Sequence, residues 1–440
     1  MVAPRRVGVG RAKVVREVLI VAAALALAWG MVYYYAGVLT PIRAQTALGA
    51  WDIGGYQSDL YPRWLGAREL LLHHRNPYSS EVTEEIERGF YGRPIEPARR
   101  SDVDPEAFAY PVYVTFLLAP FLPFRFEIVQ PVFTAILLLL TIAALPLWIR
   151  GLRLHLGKRA RFLAFLAMIS SYAVVEGLRL GQITLLVGFL MAGSVAALSG
   201  GWPVLAGILL ALTLVKPQLS YLLIVFLMLW AVSDWRIRKG FAIGFGAVAA
   251  LLLAGSELIL PGWFGFWRDA VREYIRWHRG SVVSELLGAR FAPVVAGCLI
   301  LLCAVAFWFC RTESVGSSRF NFAVVSALSV TSVLLPNAGG GSFYNQILLV
   351  PIVLWLFASA RDLSRDYGPA RVTWIFAIAG LAGQWLLAFA VSFAAFALRY
   401  HFQHEATPFV GASELLMYAF PAELTLFVVC ASLQFWRAHD

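Results

Sequence analysis

The sequence predicts an all-α polytopic membrane protein with about twelve transmembrane helices, and three observations carry that reading. Hydrophobic residues fill 60% of the 440 positions and charged residues only 14%, where soluble domains run nearer ~45–50% and ~25%. Mean hydropathy is +0.72. Apolar stretches recur along the whole chain, at 17–38, 128–150, 161–176, 183–199, 203–217, 219–233, 240–260, 291–310, 320–336, 345–360, 371–398 and 412–436. Twelve crossings of about 20 residues use roughly 240 positions and leave the rest for loops. Residues 1–440 therefore read as one integral-membrane domain. The composition excludes a cytosolic enzyme, a nucleic-acid binder and a disordered chain.

Arg5, Arg6, Arg11, Lys13 and Arg16 precede the first apolar run. That flank suits a signal peptide, but the run is too long and lacks a small-residue cleavage site, so it reads as an uncleaved first span. With the N-terminus inside, the cytoplasmic segments hold 19 of the 36 lysines and arginines, as the positive-inside rule requires. The same rule accounts for the net charge of +10 without nucleic acid. Segment 107–124 is apolar but carries Pro111, Pro120 and Pro123. A full crossing there would turn the basic clusters at 150–161 and 236–239 outward, so it reads as a re-entrant or short helix.

Two outer loops are then large. In the first, 39–106, Leu60, Trp64, Ala67 and Leu71 share one helical face, and Val82, Ile86 and Phe90 another. These patterns predict amphipathic juxtamembrane helices lying along the membrane surface. The second, 261–290, sets Arg268, Arg272, Arg276 and Arg279 on one stripe, opposite Phe264, Trp267, Val271, Tyr274 and Ile275. That pattern fits either adhesion to anionic lipid or recognition of a particular lipid phosphate. Cys298, Cys303, Cys310 and Cys430 lie in apolar runs without CxxC spacing. They read as buried thiols, and no metal-ligand cluster is visible.

The residues able to do chemistry fall on one side of this topology. Asp52 and Asp59 follow the first span, with Pro62 placed for a first helical turn. Asp59 reads either as a helix cap or as a positioned general base. Glu176, Arg179 and Gln182 join two spans outside. Lys216-Pro217 interrupts an apolar stretch. A lysine there either snorkels to the interface or binds a phosphate. Tyr344 and Asn345 belong to a glycine-rich outer segment, 336–346. Walker A, GxSxG, HExxH and GxGxxG patterns are absent. An activated donor is therefore expected to be membrane-borne, with no separate cofactor.

Four blocks, in this order and spacing, resemble glycosyltransferase family 87: DLYPRWLGARELLLHHRNPYS (Asp59 to Ser79), AYPVYVTFLLAPFLPF (Ala109 to Phe124), LGQITLL (Leu180 to Leu186) and LAGILLALTLVKPQ (Leu205 to Gln218). The resemblance spans about Asp52 to Ile352. It implies a GT-C-type glycosyltransferase fold in a bacterial cell membrane, with the active site on the extracytoplasmic side. It further implies a polyprenyl-phosphate sugar donor, mannose being the leading sugar, with another hexose or a pentose also open. The acceptor would be an extracytoplasmic lipid, glycan or protein, and transfer would invert the anomeric carbon. Asp59 matches the catalytic aspartate. Lys216, Arg179 and Gln182 are the expected donor-phosphate ligands. Asp52, Arg63, Glu176, Tyr344 and Asn345 are the remaining substrate-binding candidates. The competing class is a transporter or flippase of a lipid-linked glycan, which would use Lys216 and the broken 107–124 segment without making a bond.

Overall fold

Each apolar stretch of the sequence forms helix in the computed structural model, which describes residues 7–41, 55–95, 103–277, 280–336, 342–358, 368–397 and 407–437. Helix α1 (Val7–Tyr33) ends in a π-helical turn, Tyr34–Leu39. Two helices of the first outer loop follow, α2 (Leu60–His73) and α3 (Ser80–Tyr91), then the five-residue α4 (Val114–Leu118). The bundle continues through α5 (Phe126–Gly151), α6 (Lys158–Ser170), α7 (Tyr172–Arg179), α8 (Thr184–Ser199), α9 (Pro203–Leu212), α10 (Tyr221–Ser233) and α11 (Trp235–Ile259). The second outer loop holds α12 (Trp263–Trp277) and α13 (Val282–Leu287). Helices α14 (Ala292–Cys310), α15 (Ser318–Leu334), α16 (Val350–Ala358), α17 (Pro369–Ala397) and α18 (Thr407–Arg437) complete the chain.

Five helices among the described residues are long and apolar enough to cross a membrane, and a sixth span arises if α6 and α7, bent by 43° at Ser171, count together. The other apolar helices, with the stretch Leu415–Ala431 of α18, have only 10–17 residues. At 1.5 Å per residue even the longest of these covers about 25 Å, short of a ~30 Å hydrocarbon core. The inner helices are cut short where polar residues interrupt them, around Gln182 and at Lys216-Pro217. The outer helices face a different solvent. On α11 and α14, Leu258 (84% exposed) and Leu301 (64%) stand free, as lipid-facing residues do. Helices α9 and α11 instead meet backbone to backbone, since a Cβ on Gly207 would lie 2.1 Å from the Phe241 carbonyl oxygen. Close contact through small residues is how helices associate without a hydrophobic drive from water.

Segment 107–124 is a short helix: irregular chain leads into α4 and a 3₁₀ turn, Ala119–Phe121. Val112, Val114 and Leu118 are buried beneath it. The Tyr113 hydroxyl donates to the Leu214 carbonyl at 3.1 Å, which supplies a partner where Pro217 cannot continue the helical ladder. Helix α3 buries Val82, Ile86 and Phe90 as its pattern predicts. Helix α2 does not lie on the surface. It is enclosed on every side over its first three turns, Arg63 included. Gly66 admits the Phe108 ring to where a Cβ would be 2.3 Å away. Cys303 and Cys310 are buried as expected, whereas Cys298 is exposed on α14.

Candidate active site

Three interruptions of helix bring the site together: the start of α2, the turn between α7 and α8, and the break after α9. The α7–α8 turn passes through Gly181 at φ +62°, where a Cβ would approach the Leu60 Cβ to 2.9 Å. The same turn is tied to α2, because the Leu180 carbonyl accepts from the Leu60 N–H at 3.2 Å and from the Ser58 hydroxyl at 3.1 Å. Gln182 is thereby held against Asp59. Replacing Gly181 with Ala forces a left-handed backbone on a residue with a Cβ, at about 1–2 kcal/mol before the clash is counted. Gly181→Ala is expected to lower the thermal midpoint and to depress activity by displacing Gln182. A variant with wild-type midpoint and turnover would show that the turn does not set the site.

Asp59 stands at the N-terminal boundary of α2, yet its side chain makes no capping hydrogen bond. Its Oδ2 accepts instead from the Gln182 side-chain amide. The Gln182 carbonyl oxygen takes the Arg63 guanidinium (Nη2) at 3.1 Å and the Lys216 ammonium at 3.3 Å. This amide orientation is the one the charges dictate, since a flip would set NH₂ against two cations and oxygen against a carboxylate. Asp59 is half-buried, while Gln182, Arg63 and Lys216 are buried.

Lys216 does not snorkel. Besides Gln182, its Nζ meets the Thr184 hydroxyl at 2.8 Å and the Asn345 carbonyl oxygen at 3.5 Å, and it sits 4.7 Å from the Tyr344 ring centre. Three acceptors match the three protons of an ammonium. Arg63 is the complementary case. Its Nη2 also donates to the Tyr110 hydroxyl, and the guanidinium lies 4.3 Å from the Tyr110 ring centre. Its Nε and Nη1 are buried and have no hydrogen-bond partner among the described residues. A fully buried cation with unused donors is costly unless an anion joins it.

Asp59, Arg63, Gln182, Lys216, Tyr344 and Asn345 thus converge, as a joint site requires. Arg179 and Glu176 do not join them. The Arg179 Nε donates to the Tyr35 hydroxyl at 2.7 Å, and its Nη2 lies 3.6 Å from Glu176 Oε1. The short α7 ends at Arg179, and the left-handed turn at Gly181 carries Gln182 away toward α2, leaving Arg179 beside the end of α1. Asp52 lies outside the described residues, as does Arg279 of the α12 stripe. Sequence reasoning missed Thr184, Tyr110 and Glu106. The first two stand inside the quoted LGQITLL and AYPVY blocks, but only the fold shows that they touch Lys216 and Arg63.

Glu106 precedes the short-helix segment, with its own N–H donating to Asp104 Oδ1 at 3.0 Å. Burial first, then the charges of Asp104 and Asp59, push its carboxyl well above the ordinary 4.5, while Arg63 opposes them. A raised folded value has a definite sign. Stability is full below 4.5, where folded and unfolded chains both hold the proton, and falls as pH rises through the raised value. Glu106→Gln removes that loss. Its thermal midpoint is expected to gain on wild type as pH rises above 4.5 and to match it below. Parallel curves would exclude a strained carboxyl here.

The family model of glycosyltransferase family 87 matches residues 108–336, more than half of the chain. The chain belongs to glycosyltransferase family 87. It is accordingly a multi-pass membrane glycosyltransferase, using a sugar donor and an acceptor. No curated protein and no solved structure matches the chain. The family 87 match contains Tyr110, Gln182, Thr184 and Lys216, and begins after Asp59 and Arg63. Asp59 and Arg63 touch the matched region through their hydrogen bonds with Gln182 and Tyr110.

Proposed function

We propose that this family 87 enzyme transfers a hexose, mannose before others, or a pentose from a polyprenyl-phosphate sugar to a lipid, glycan or protein acceptor, inverting the anomeric carbon. The reaction would run on the extracytoplasmic face of a bacterial cell membrane, within a GT-C-type bundle of about twelve crossings. The observation that carries this reading is Gln182, whose amide joins one carboxylate to two cations. Asp59 Oδ2 is occupied by that amide, which leaves the second oxygen of a half-buried carboxylate for an acceptor hydroxyl. Asp59 removes the hydroxyl proton as the oxygen attacks the anomeric carbon. The bond from that carbon to the phosphate oxygen breaks, and polyprenyl phosphate departs with the added negative charge. Arg63 offers its unpaired Nε and Nη1 to the phosphate, and Lys216 stands behind it, holding Gln182, Thr184 and Asn345 in place. Cations fixed before the reaction stabilise charge that grows in the transition state.

Proteoliposomes containing the enzyme and a labelled polyprenyl-phosphate sugar test the proposal. A new glycosidic product is expected. Movement of intact donor across the bilayer without bond formation would instead favour a flippase.

A further inference from the structure

Helix α18 carries Pro421 in its interior. A proline there has no N–H for the carbonyl four residues back, and its ring crowds that oxygen, so Met417 loses its helical partner. Met417 is only 3% exposed, and a buried carbonyl left without a donor is costly. The missing donor comes from another element. The Gln346 side-chain amide donates to the Met417 carbonyl at 2.6 Å, and only the NH₂ end of that amide can face a carbonyl oxygen. One residue earlier, the Leu416 carbonyl accepts from Gln384 of α17 at 3.4 Å. The proline bend is itself held against α15: the Thr425 hydroxyl donates to the Pro421 carbonyl at 2.8 Å and meets the Ser329 hydroxyl at 2.8 Å.

Gln346 follows Asn345 in the 3₁₀ run Phe343–Leu349. Such a helix has three residues per turn, so residues three apart share a face and successive ones point about 120° apart. Phe343 and Gln346 make the face toward α18, with the Phe343 ring 5.0 Å from that of Tyr418. The other two faces carry the site. Tyr344 lays its ring 4.7 Å from the Lys216 ammonium, and the Asn345 carbonyl oxygen meets Lys216 at 3.5 Å and the Thr184 hydroxyl at 3.3 Å. Ile347 closes the run onto α8, where a Cβ on Gly188 would lie 3.3 Å from it. One short run is thus pinned between the bend of α18 and the buried cation.

We propose that Gln346 is a positioning residue for the anionic donor: the carbonyl freed by Pro421 seats Gln346, and Gln346 fixes the run that holds Tyr344 and Asn345 against Lys216. It touches no reacting atom and acts through its neighbours. Lys216 donates to the same Gln182 oxygen as Arg63 does, so a run that slides along α18 loosens the ammonium, then the amide, then the guanidinium aimed at the phosphate. Small displacements of preorganised groups are expensive at a reacting centre. The inference rests on the transferase reading above, which gives Arg63 and Lys216 to the donor side.

The test titrates farnesyl phosphate, a short polyprenyl phosphate, into the full chain in detergent by calorimetry, with farnesol as the uncharged comparison. Wild type is expected to bind the phosphate more tightly than the alcohol. Gln346→Met keeps the side-chain length and loses the amide. It is expected to weaken farnesyl phosphate about tenfold at unchanged stoichiometry, with farnesol unaffected, whereas a merely structural loss lowers the number of binding sites and leaves Kd alone. Pro421→Ala gives the Met417 carbonyl a helical N–H. Combined with Gln346→Met it is expected to restore the thermal midpoint but not the affinity, and it carries the same reading should the single variant misfold. Unchanged Kd in Gln346→Met, recovery of affinity together with the midpoint in the double variant, or failure of both to fold would each overturn the positioning role. Those results, with wild type still preferring the phosphate, leave the donor reading standing. Equal binding of farnesyl phosphate and farnesol by wild type would instead remove the donor reading, and the role of Gln346 with it.

Discussion

Asp59→Asn is expected to reduce sugar transfer by about 10²–10⁴, the usual contribution of a general base, with little change in thermal midpoint. The two effects separate because of the local geometry. A capping aspartate would lose helix stability on substitution, about 0.5–2 kcal/mol, but the Asp59 side chain caps nothing and spends one oxygen on Gln182. The asparagine carbonyl can still accept that amide, so the turn at Gly181 and the start of α2 remain joined. What disappears is the proton acceptor. Single-turnover measurement at saturating donor and acceptor isolates the chemical step, and melting in the same detergent reports the fold. Wild-type turnover in the variant would end the base assignment. Equal losses of turnover and of folded protein would return Asp59 to a structural role.

Much of this arrangement is legible in the sequence, and the parts that are not have physical causes. The apolar stretches give the helices and their order, since hydrophobic periodicity does not depend on partners. Lys216-Pro217 stands out because a charge and a helix break coincide in an apolar run. Asp59 and Gln182 can be marked as polar groups at the ends of spans, but their mutual hydrogen bond needs the turn at Gly181. Arg179 shows the reverse error. Three residues from Gln182, it looks like a neighbour, and a left-handed residue between them sends the two side chains to different elements. Helix α2 carries a surface-like pattern, yet buried Glu69 satisfies its charge within the protein, taking His73 at 3.0 Å and Arg75 at 2.8 Å. Pattern alone cannot tell a polar face turned to water from one turned to internal partners. The chain at 103–109, which leads into Tyr110, was least legible, because it is irregular and no periodicity marks it.

Arg63 and Lys216 are both buried cations on Gln182, but they are expected to fail differently when changed. Lys216 has spent its three protons on Gln182, Thr184 and Asn345. Lys216→Met strips those buried acceptors of a donor, at about 1–3 kcal/mol for each group left unsatisfied, so a lower thermal midpoint leads and donor use falls with it. Arg63 holds two unpaired nitrogens in reserve. Arg63→Lys keeps the charge and most of the volume but loses the planar fork that meets two phosphate oxygens together. Its donor KM is expected to rise, and kcat/KM for donor to fall about 10²–10³, the scale of removing one preorganised donor to developing charge. Acceptor KM and the thermal midpoint are expected to move much less. The split matters more than either number. If Lys216→Met raised donor KM at constant midpoint while Arg63→Lys kept wild-type donor use, the phosphate would belong to the lysine, and the open side of Arg63 would need another anion to explain it.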